Sequence, residues 1–315
     1  MMFFMKYYMA PLEGITTFPL RNAHRLVFPG TDKYYTPFIS TTDDFVLKKR
    51  DLRDLLPENN RGAALVPQLL TNSPSAMLRT AAKLAALGYH EINLNLGCPY
   101  GTVVAKKRGA GMLRDPGELD RFLEAVFRGL GPASPQISVK TRIGISDPSE
   151  AETLIRVFNR YPISELTIHP RFQKELYRGT PHLELFGNMF RESRNPVCYN
   201  GDVECPADVQ KLTADFPALD AVMIGRGLIR RPSLVRELQG GPPASREELL
   251  RYYREVEAAT AAVMPDENAR MHRMKEFMEY FGPSLAGSDH RLAELLKAPS
   301  WSRYKGAMEA ILYGS

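Results

Sequence analysis

Eight short apolar runs punctuate the first 226 residues, and the segments between them carry helical periodicity. The runs read KYYMAP (6–11), KYYTPF (33–38), ALVPQLL (64–70), EINLNLG (91–97), QISVKTR (136–142), ELTIHP (165–170), PVCYNGD (196–202) and DAVMIGR (220–226). Several are almost continuously apolar, the pattern of strands covered by helices on a parallel sheet. Start and stop signals frame the helices. SPSAMLRTAAKLAALG opens at Ser73-Pro74 and closes at Gly88; DPGELDRFLEAVFRGLG opens at Asp115-Pro116 and closes at Gly131; DPSEAETLIRVFNR opens at Asp147-Pro148. Eight β/α units in roughly 235 residues fit a (β/α)8 TIM barrel better than an open doubly wound sheet.

After RGLIRRPSLVRELQGGPPASREELL the alternation stops. Gly240-Gly241-Pro242-Pro243 is a break, and Ser245 with Glu248 has the spacing of a capping box. Residues 245–263, 266–281, 289–297 and 302–313 read as helices with no strand between them. The expected division is a catalytic barrel domain over 1–240 and a small all-helical domain over 241–315.

Composition narrows the class. Of 315 residues 44% are hydrophobic and 24% charged, as in a globular protein. No run approaches the ~18–20 apolar residues of a bilayer span, so no membrane partner is expected. The opening segment, Met1 to Met9, has neither a basic region nor a small-residue cleavage site and reads as leading into a first strand. Cys98, Cys198 and Cys205 are sparse, odd in number and without zinc-site spacing. They predict a reducing compartment, the cytoplasm, with no disulfide framework and no metal. The net charge of +5 is concentrated before residue 241, where the balance is +6. That excess suits an anionic partner such as a phosphate-bearing cofactor or a nucleic acid.

In such barrels the reacting groups collect at the C-terminal ends of the strands. Here those ends carry Pro11, Thr36-Pro37, Gln68, Asn95 to Cys98, Lys140 to Arg142, His169 to Arg171, Asn200 to Asp202 and Gly225-Arg226-Gly227. YNGDV and IGRGL close the seventh and eighth strands, where glycine backbone and the Arg226 guanidinium suit a phosphate. Lys140 would offset negative charge on a reduced flavin ring or an enolate. His169 can donate to a carbonyl or phosphate, and the Gln68 amide suits the edge of a heterocycle. Cys98 is open to four roles at this stage: packing residue, nucleophile, metal ligand or proton donor. It precedes a glycine-rich loop that is expected to be flexible, leaving the thiol free to approach and leave a substrate. Cys198 reads as core and Cys205 as the start of a helix. AKKRG is a solvated loop or, beside a catalytic mouth, a grip on a phosphate backbone.

MAPLEGITTFPLR, NLNLGCPYGTVVAKKRGAGMLRDP, SVKTRIG, IHPRFQKELYRG, YNGDV and AVMIGRG, in this order, resemble the motifs of the tRNA-dihydrouridine synthases. ARMHRMKEFMEYF is similar to that family's C-terminal RNA-contacting helix, and the resemblance spans roughly residues 5–285. It implies a flavoprotein with an FMN-binding TIM barrel and a helical RNA-binding domain, acting in tRNA modification. FMN would be held by the backbone around Pro11, by Gln68, Lys140 and His169, and by a phosphate site at Asn200, Asp202, Gly225 and Arg226. Asn95 and Arg171 would meet the target uracil, while Lys106, Lys107, Arg108, Arg273 and Lys275 would contact the tRNA. The implied reaction reduces the C5–C6 double bond of uridine. NADPH reduces the flavin, hydride passes to C6, and Cys98 acts as general acid at C5 from the opposite face. With no GxGxxG fingerprint in the chain, NADPH would visit the flavin transiently; a monomer is expected. Many members carry an acidic residue after the threonine of the second strand, where this chain has Pro37, so the mouth is expected to differ there. A barrel flavoenzyme acting on a free pyrimidine, such as dihydroorotate dehydrogenase, explains neither the basic loop nor the helical appendage. An RNA-binding protein without catalysis leaves Cys98, Lys140 and His169 without a task.

Overall fold

The computed structural model describes residues 5–44, 47–286 and 289–313. Of the opening segment, residues 1–4 lie outside the described residues and Lys6–Met9 forms β1. The other strands are β2 (Lys33–Tyr35), β3 (Ile39–Ser40), β4 (Leu65–Val66), β5 (Gln68–Leu70), β6 (Glu91–Leu96), β7 (Gln136–Arg142), β8 (Leu166–His169), β9 (Val197–Tyr199) and β10 (Ala221–Ile224). Their order is β3-β5-β6-β7-β8-β9-β10-β1-β2-β4, and every pairing is parallel. The two ends of that order belong to neighbouring passages of chain. β2 and β3 are one passage interrupted at 36–38, and β4 and β5 are another interrupted at Pro67, which has no N–H to give the ladder. Since β2 pairs with β4 and β3 with β5, the sheet closes on itself as a TIM barrel of eight passages.

The outer helices are α1 (Phe18–Val27), α2 (Lys49–Leu55), α3 (Pro74–Ala86), α4 (Gly101–Val104), α5 (Pro116–Gly129), α6 (Ser149–Phe158), α7 (Leu183–Glu192), α8 (Pro206–Asp215), α9 (Arg226–Arg230) and α10 (Leu234–Leu238). Two of the expected caps form. Ser73 Oγ accepts from the Ala76 N–H at 3.1 Å, and the Asp115 carboxylate accepts from the Glu118 N–H at 2.9 Å. Asp147 differs, because α6 begins two residues later and its carboxylate takes the Ser149 N–H instead. Tyr8, Tyr35, Val66, Cys198 and Met223 pack inside the barrel, Cys198 being core as expected. Below them the Glu165 carboxylate accepts from Tyr8 Oη at 2.8 Å and Tyr35 Oη at 3.2 Å, with the Lys33–Glu91 pair alongside at 2.8 Å. This polar floor closes the N-terminal end, so the opposite end is the mouth.

Beyond β10 the described residues contain no strand. α11 (Arg246–Val263), α12 (Glu267–Ala286), α13 (Asp289–Lys297) and α14 (Trp301–Tyr313) follow the four expected helices. α12 runs past residue 281, because Phe281 and Leu285 are buried and hold the last turn despite Pro283. The Ser245–Glu248 capping box opens α11. Tyr252 of α11 packs edge-on against Phe28 of α1 at 5.5 Å and Phe281 of α12 at 5.4 Å. One apolar cluster therefore runs from the barrel's outer helices into the helical segment.

Candidate active site

Strand register brings distant residues to one level of the barrel. Gln68 pairs with Asn93, Asn95 with Lys140, and Arg142 with His169. The result is a cavity at the C-terminal strand ends, lined among others by Pro11, Gln68, Asn95, Cys98, Lys140, His169, Asn200, Asp202, Gly225 and Arg226.

A directed chain of amides sets one wall. The backbone N–H groups of Gly97 and Cys98 donate to Asn95 Oδ1 at 3.0 and 2.9 Å, which fixes that atom as the oxygen. Asn95 Nδ2 then donates to Gln68 Oε1 at 2.8 Å, Gln68 Nε2 to Asn93 Oδ1 at 2.8 Å, and Asn93 Nδ2 to Ser138 Oγ at 3.0 Å. Each link determines the next, so Gln68 and Asn95 present defined amide edges to the cavity.

The adjoining wall, on the next two strands, is cationic. Burial, with help from Arg142, lowers Lys140 to about 8, so its ammonium is sensitive to any anion that enters. Burial and then Lys140 hold His169 well below the usual histidine value, so the ring is neutral. Arg171 Nη1 lies 3.2 Å from His169 Nε2. A guanidinium only donates, so Nε2 accepts and the ring proton sits on Nδ1.

Arg171 itself does not reach the cavity. It is 1% exposed, and its guanidinium donates to the carbonyls of Arg178 (3.1 Å) and Gly179 and to both oxygens of Asp202 (3.0 and 2.5 Å). The expected uracil contact is thus, in this structure, a buried strut beneath the loop at 172–180. Asp202 is also differently employed. Its carboxylate bridges Arg171 and Arg226 (3.1 Å), and these two cations hold it below the ordinary carboxylate range against the opposing effect of burial. An anion cannot grip a phosphate, so what Asp202 offers that site is the aim of Arg226. Gly227 is the glycine that the close packing demands: a Cβ there would stand 1.9 Å from the Val203 carbonyl oxygen. At Gly225 a Cβ would meet only Ala10 Cβ, at 3.6 Å. The Asn200 amide donates to the Met223 carbonyl at 2.7 Å, joining the ends of β9 and β10.

Cys98 is 8% exposed and sits on a pinned turn. Its carbonyl accepts from Ala110 N at 3.0 Å, the Pro99 carbonyl from Gln173 Nε2 at 3.0 Å, and the Tyr100 carbonyl from Val103 N at 2.9 Å. The expected flexible loop is instead a close-packed 3-10 turn over Gly109–Arg114. A Cβ on Gly109, which has φ +54°, would lie 2.8 Å from the Cys98 carbonyl oxygen. One on Gly111 would lie 2.8 Å from that of Val104. These glycines permit contact rather than motion. Burial pushes the Cys98 thiol above its usual value, while the Tyr100 N–H and the charges of Arg142 and Lys140 act the other way. The thiol is therefore protonated at neutral pH, with groups ready to receive a thiolate.

The basic residues lie apart from the cavity. Lys106 and Lys107 are exposed; Lys107 approaches Glu118 at 3.4 Å, and Arg108 donates to Asn72 Oδ1 at 3.2 Å. Arg273 ties α12 to the Gly14 carbonyl and pairs with Glu276 at 2.6 Å. Lys275 Nζ caps the end of α13 through the Ala298 carbonyl at 2.5 Å. Both are engaged in holding the helical segment. Residues missed by sequence reasoning include Tyr100, Tyr177 and Tyr280, which line the cavity. Arg142 lines it too, at a strand end already singled out. Its guanidinium fastens Gly97, Phe172 and Leu176 through their carbonyls and lies 5.3 Å from the Tyr177 ring centre. Among the described residues no group of His, Cys, Asp and Glu is arranged to hold a metal ion, and no helix is long and apolar enough to cross a membrane.

Residues 8–294 match the dihydrouridine synthase (Dus) family. The chain is 31% identical over 250 residues to the tRNA-dihydrouridine(16) synthase of Cupriavidus necator, covering 77% of each chain. It is 30% identical over 311 residues to the tRNA-dihydrouridine(16) synthase of Pseudomonas putida, covering 95% of each. The barrel superposes on morphinone reductase with a TM-score of 0.53 at 12% identity, over 76% of this chain and 87% of that one, a likeness of fold. With a match that spans barrel, cavity and most of the helical segment, the chain belongs to the tRNA-dihydrouridine synthase family and is an enzyme.

Proposed function

We propose that the barrel mouth binds FMN and that the enzyme reduces the C5–C6 double bond of a uridine in tRNA, with NADPH as hydride source. The observation that carries this reading is a single cavity in which Gln68, Lys140, neutral His169 and Arg226 converge with a protonated Cys98. That donor set suits FMN. An amide edge meets a heterocycle, an ammionium-bearing lysine meets charge on a reduced ring, and a carboxylate-aimed arginine beside the Gly227 turn meets one phosphate. Pro11, Asn200 and Gly225 supply backbone and framing around it. When bound, FMN supplies the hydride that reaches C6.

The remaining work belongs to this chain. Asn95 presents its amide to the uracil edge. Cys98 delivers the proton to C5, and the thiolate left behind is held by the Tyr100 N–H and by the charges of Arg142 and Lys140 until solvent reprotonates it. The target base must leave its stack to enter so enclosed a site. The exposed Lys106 and Lys107, with Arg108, are assigned to the tRNA backbone, and the helical domain over 241–315 to the same partner. A monomer in the cytoplasm completes the reading. The relatives named for position 16 make that uridine the first to examine. Mass spectrometry of the released cofactor, together with mapping of dihydrouridine in tRNA from cells lacking the protein, tests it. Recovery of FAD, or unchanged dihydrouridine at every position, contradicts it.

A further inference from the structure

Large apolar side chains that stay exposed are few among the described residues: Leu26, Leu52, Tyr100, Tyr177 and Tyr313. Two of the five, Tyr100 and Tyr177, line the same cavity. Tyr177 has an internal role, with Arg142 at 5.3 Å and Arg226 at 5.4 Å from its ring centre. Tyr100 is 56% exposed, the more open residue of the two. Its backbone, by contrast, is held: the carbonyl accepts from Val103 N at 2.9 Å and Val104 N at 3.0 Å. The turn beneath it is pinned further by Gln173 and by the close approach of Gly109.

A rigid turn that holds an aromatic face out to water, two residues from the thiol and six from exposed Lys106, suits an unpaired base. Aromatic rings receive splayed-out bases in RNA recognition, and stacking loses least when the platform is already fixed. We propose that Tyr100 is a stacking platform for a nucleobase flanking the target uridine, a proposal that rests on tRNA being the substrate. Because the ring and the thiol share one turn, a base seated on Tyr100 sets the register of the next nucleotide relative to Cys98. Lys106 and Lys107, further along the same segment, then lie on the backbone side of that nucleotide.

Four variants of the flavin-loaded enzyme test this with in vitro transcribed tRNA: Tyr100→Phe, Tyr100→Trp, Tyr100→Leu and Tyr100→Ala. Anisotropy gives Kd, steady-state dihydrouridine formation gives KM and kcat, and flavin content is recorded for each. Phe and Trp keep the ring and should stay within about 2-fold of wild type. Ala and Leu should raise Kd and KM roughly 5- to 150-fold, the scale of one stacked base, with flavin content unchanged. A Leu variant equal to wild type means the side chain merely shields the thiol and overturns the proposal. So does a Phe variant as impaired as Ala, which would put the effect in the hydroxyl, or an Ala variant that binds normally. Wild-type enzyme that makes no dihydrouridine brings down the functional reading together with this one; active wild type with a tight-binding Ala variant overturns this one alone.

Discussion

Arg171→Lys separates two uses of a strand-end arginine. The resemblance assigns Arg171 to the uracil, whereas the structure buries it under the loop at 172–180. The native guanidinium serves the Arg178 and Gly179 carbonyls, His169 Nε2 and both Asp202 oxygens. A lysine keeps the charge but offers three N–H groups from one atom, so at least two of those five acceptors lose their donor. A buried acceptor left unpaired costs about 1–3 kcal/mol. Asp202 is discounted because its side chain is 35% exposed and retains Arg226. The net loss is about 3 kcal/mol, a fall in Tm of roughly 6 °C for a chain of this size. Thermal unfolding followed by circular dichroism measures it, and flavin content should fall with it as His169 and Arg226 lose their alignment. The gap should also depend on pH. Asp202 is held below the ordinary carboxylate value, so its contribution is complete above about pH 4 and is lost as pH falls further. The difference between wild type and variant should narrow there. A variant that melts with wild type at pH 7 while only KM for tRNA rises would refute the buried-strut account.

Burial lowers Lys140 to about 8, so FMN affinity of the apoprotein should weaken as pH climbs through 8, whereas Lys140→Met should bind more weakly at pH 7 and show no such step in a fluorescence titration. Replacing Lys106, Lys107 and Arg108 together by Ala should reduce the slope of log K against log salt for tRNA binding by about 2–3, and an unchanged slope would leave the loop a solvated turn. Lys275→Ala, by contrast, should lower stability by removing the cap on α13 while leaving that salt slope intact.

The barrel was legible because each passage is an apolar run followed by a helix with signals at both ends, and such patterns survive without tertiary knowledge. What was not legible depends on chain segments folding back. Pro67 and Thr36–Phe38 interrupt two strands, yet the ring closes because each half finds a different partner. The glycines after Cys98 look like a flexible loop in sequence, but Gly109 and Gly111 are small because backbone approaches within 3 Å of where a Cβ would be. Gln68, Asn95, Lys140 and His169 were found at strand ends, where alternation fixes which side chains face the mouth. Arg171 lies beyond the end of β8, where no periodicity applies, and only the return of residues 178 and 179 decides that it points inward. The cations of α12 illustrate the same limit. Arg273 and Lys275 have the composition of an RNA contact, but the Gly14 and Ala298 carbonyls take them up.

In the proposed reaction Cys98 gives a proton to substrate, and Cys98→Ala removes that proton alone. Three quantities are followed side by side: flavin occupancy, NADPH oxidation without tRNA, and dihydrouridine formation. The thiol donates only in the last of these, so the variant should purify yellow and accept hydride from NADPH at a near-normal rate. Dihydrouridine formation should fall by roughly 10²-fold or more, the scale of losing a positioned acid. A packing cysteine would lower stability and leave turnover per folded molecule intact, and a flavin contact would lower occupancy first. Full tRNA turnover in Cys98→Ala would contradict the account.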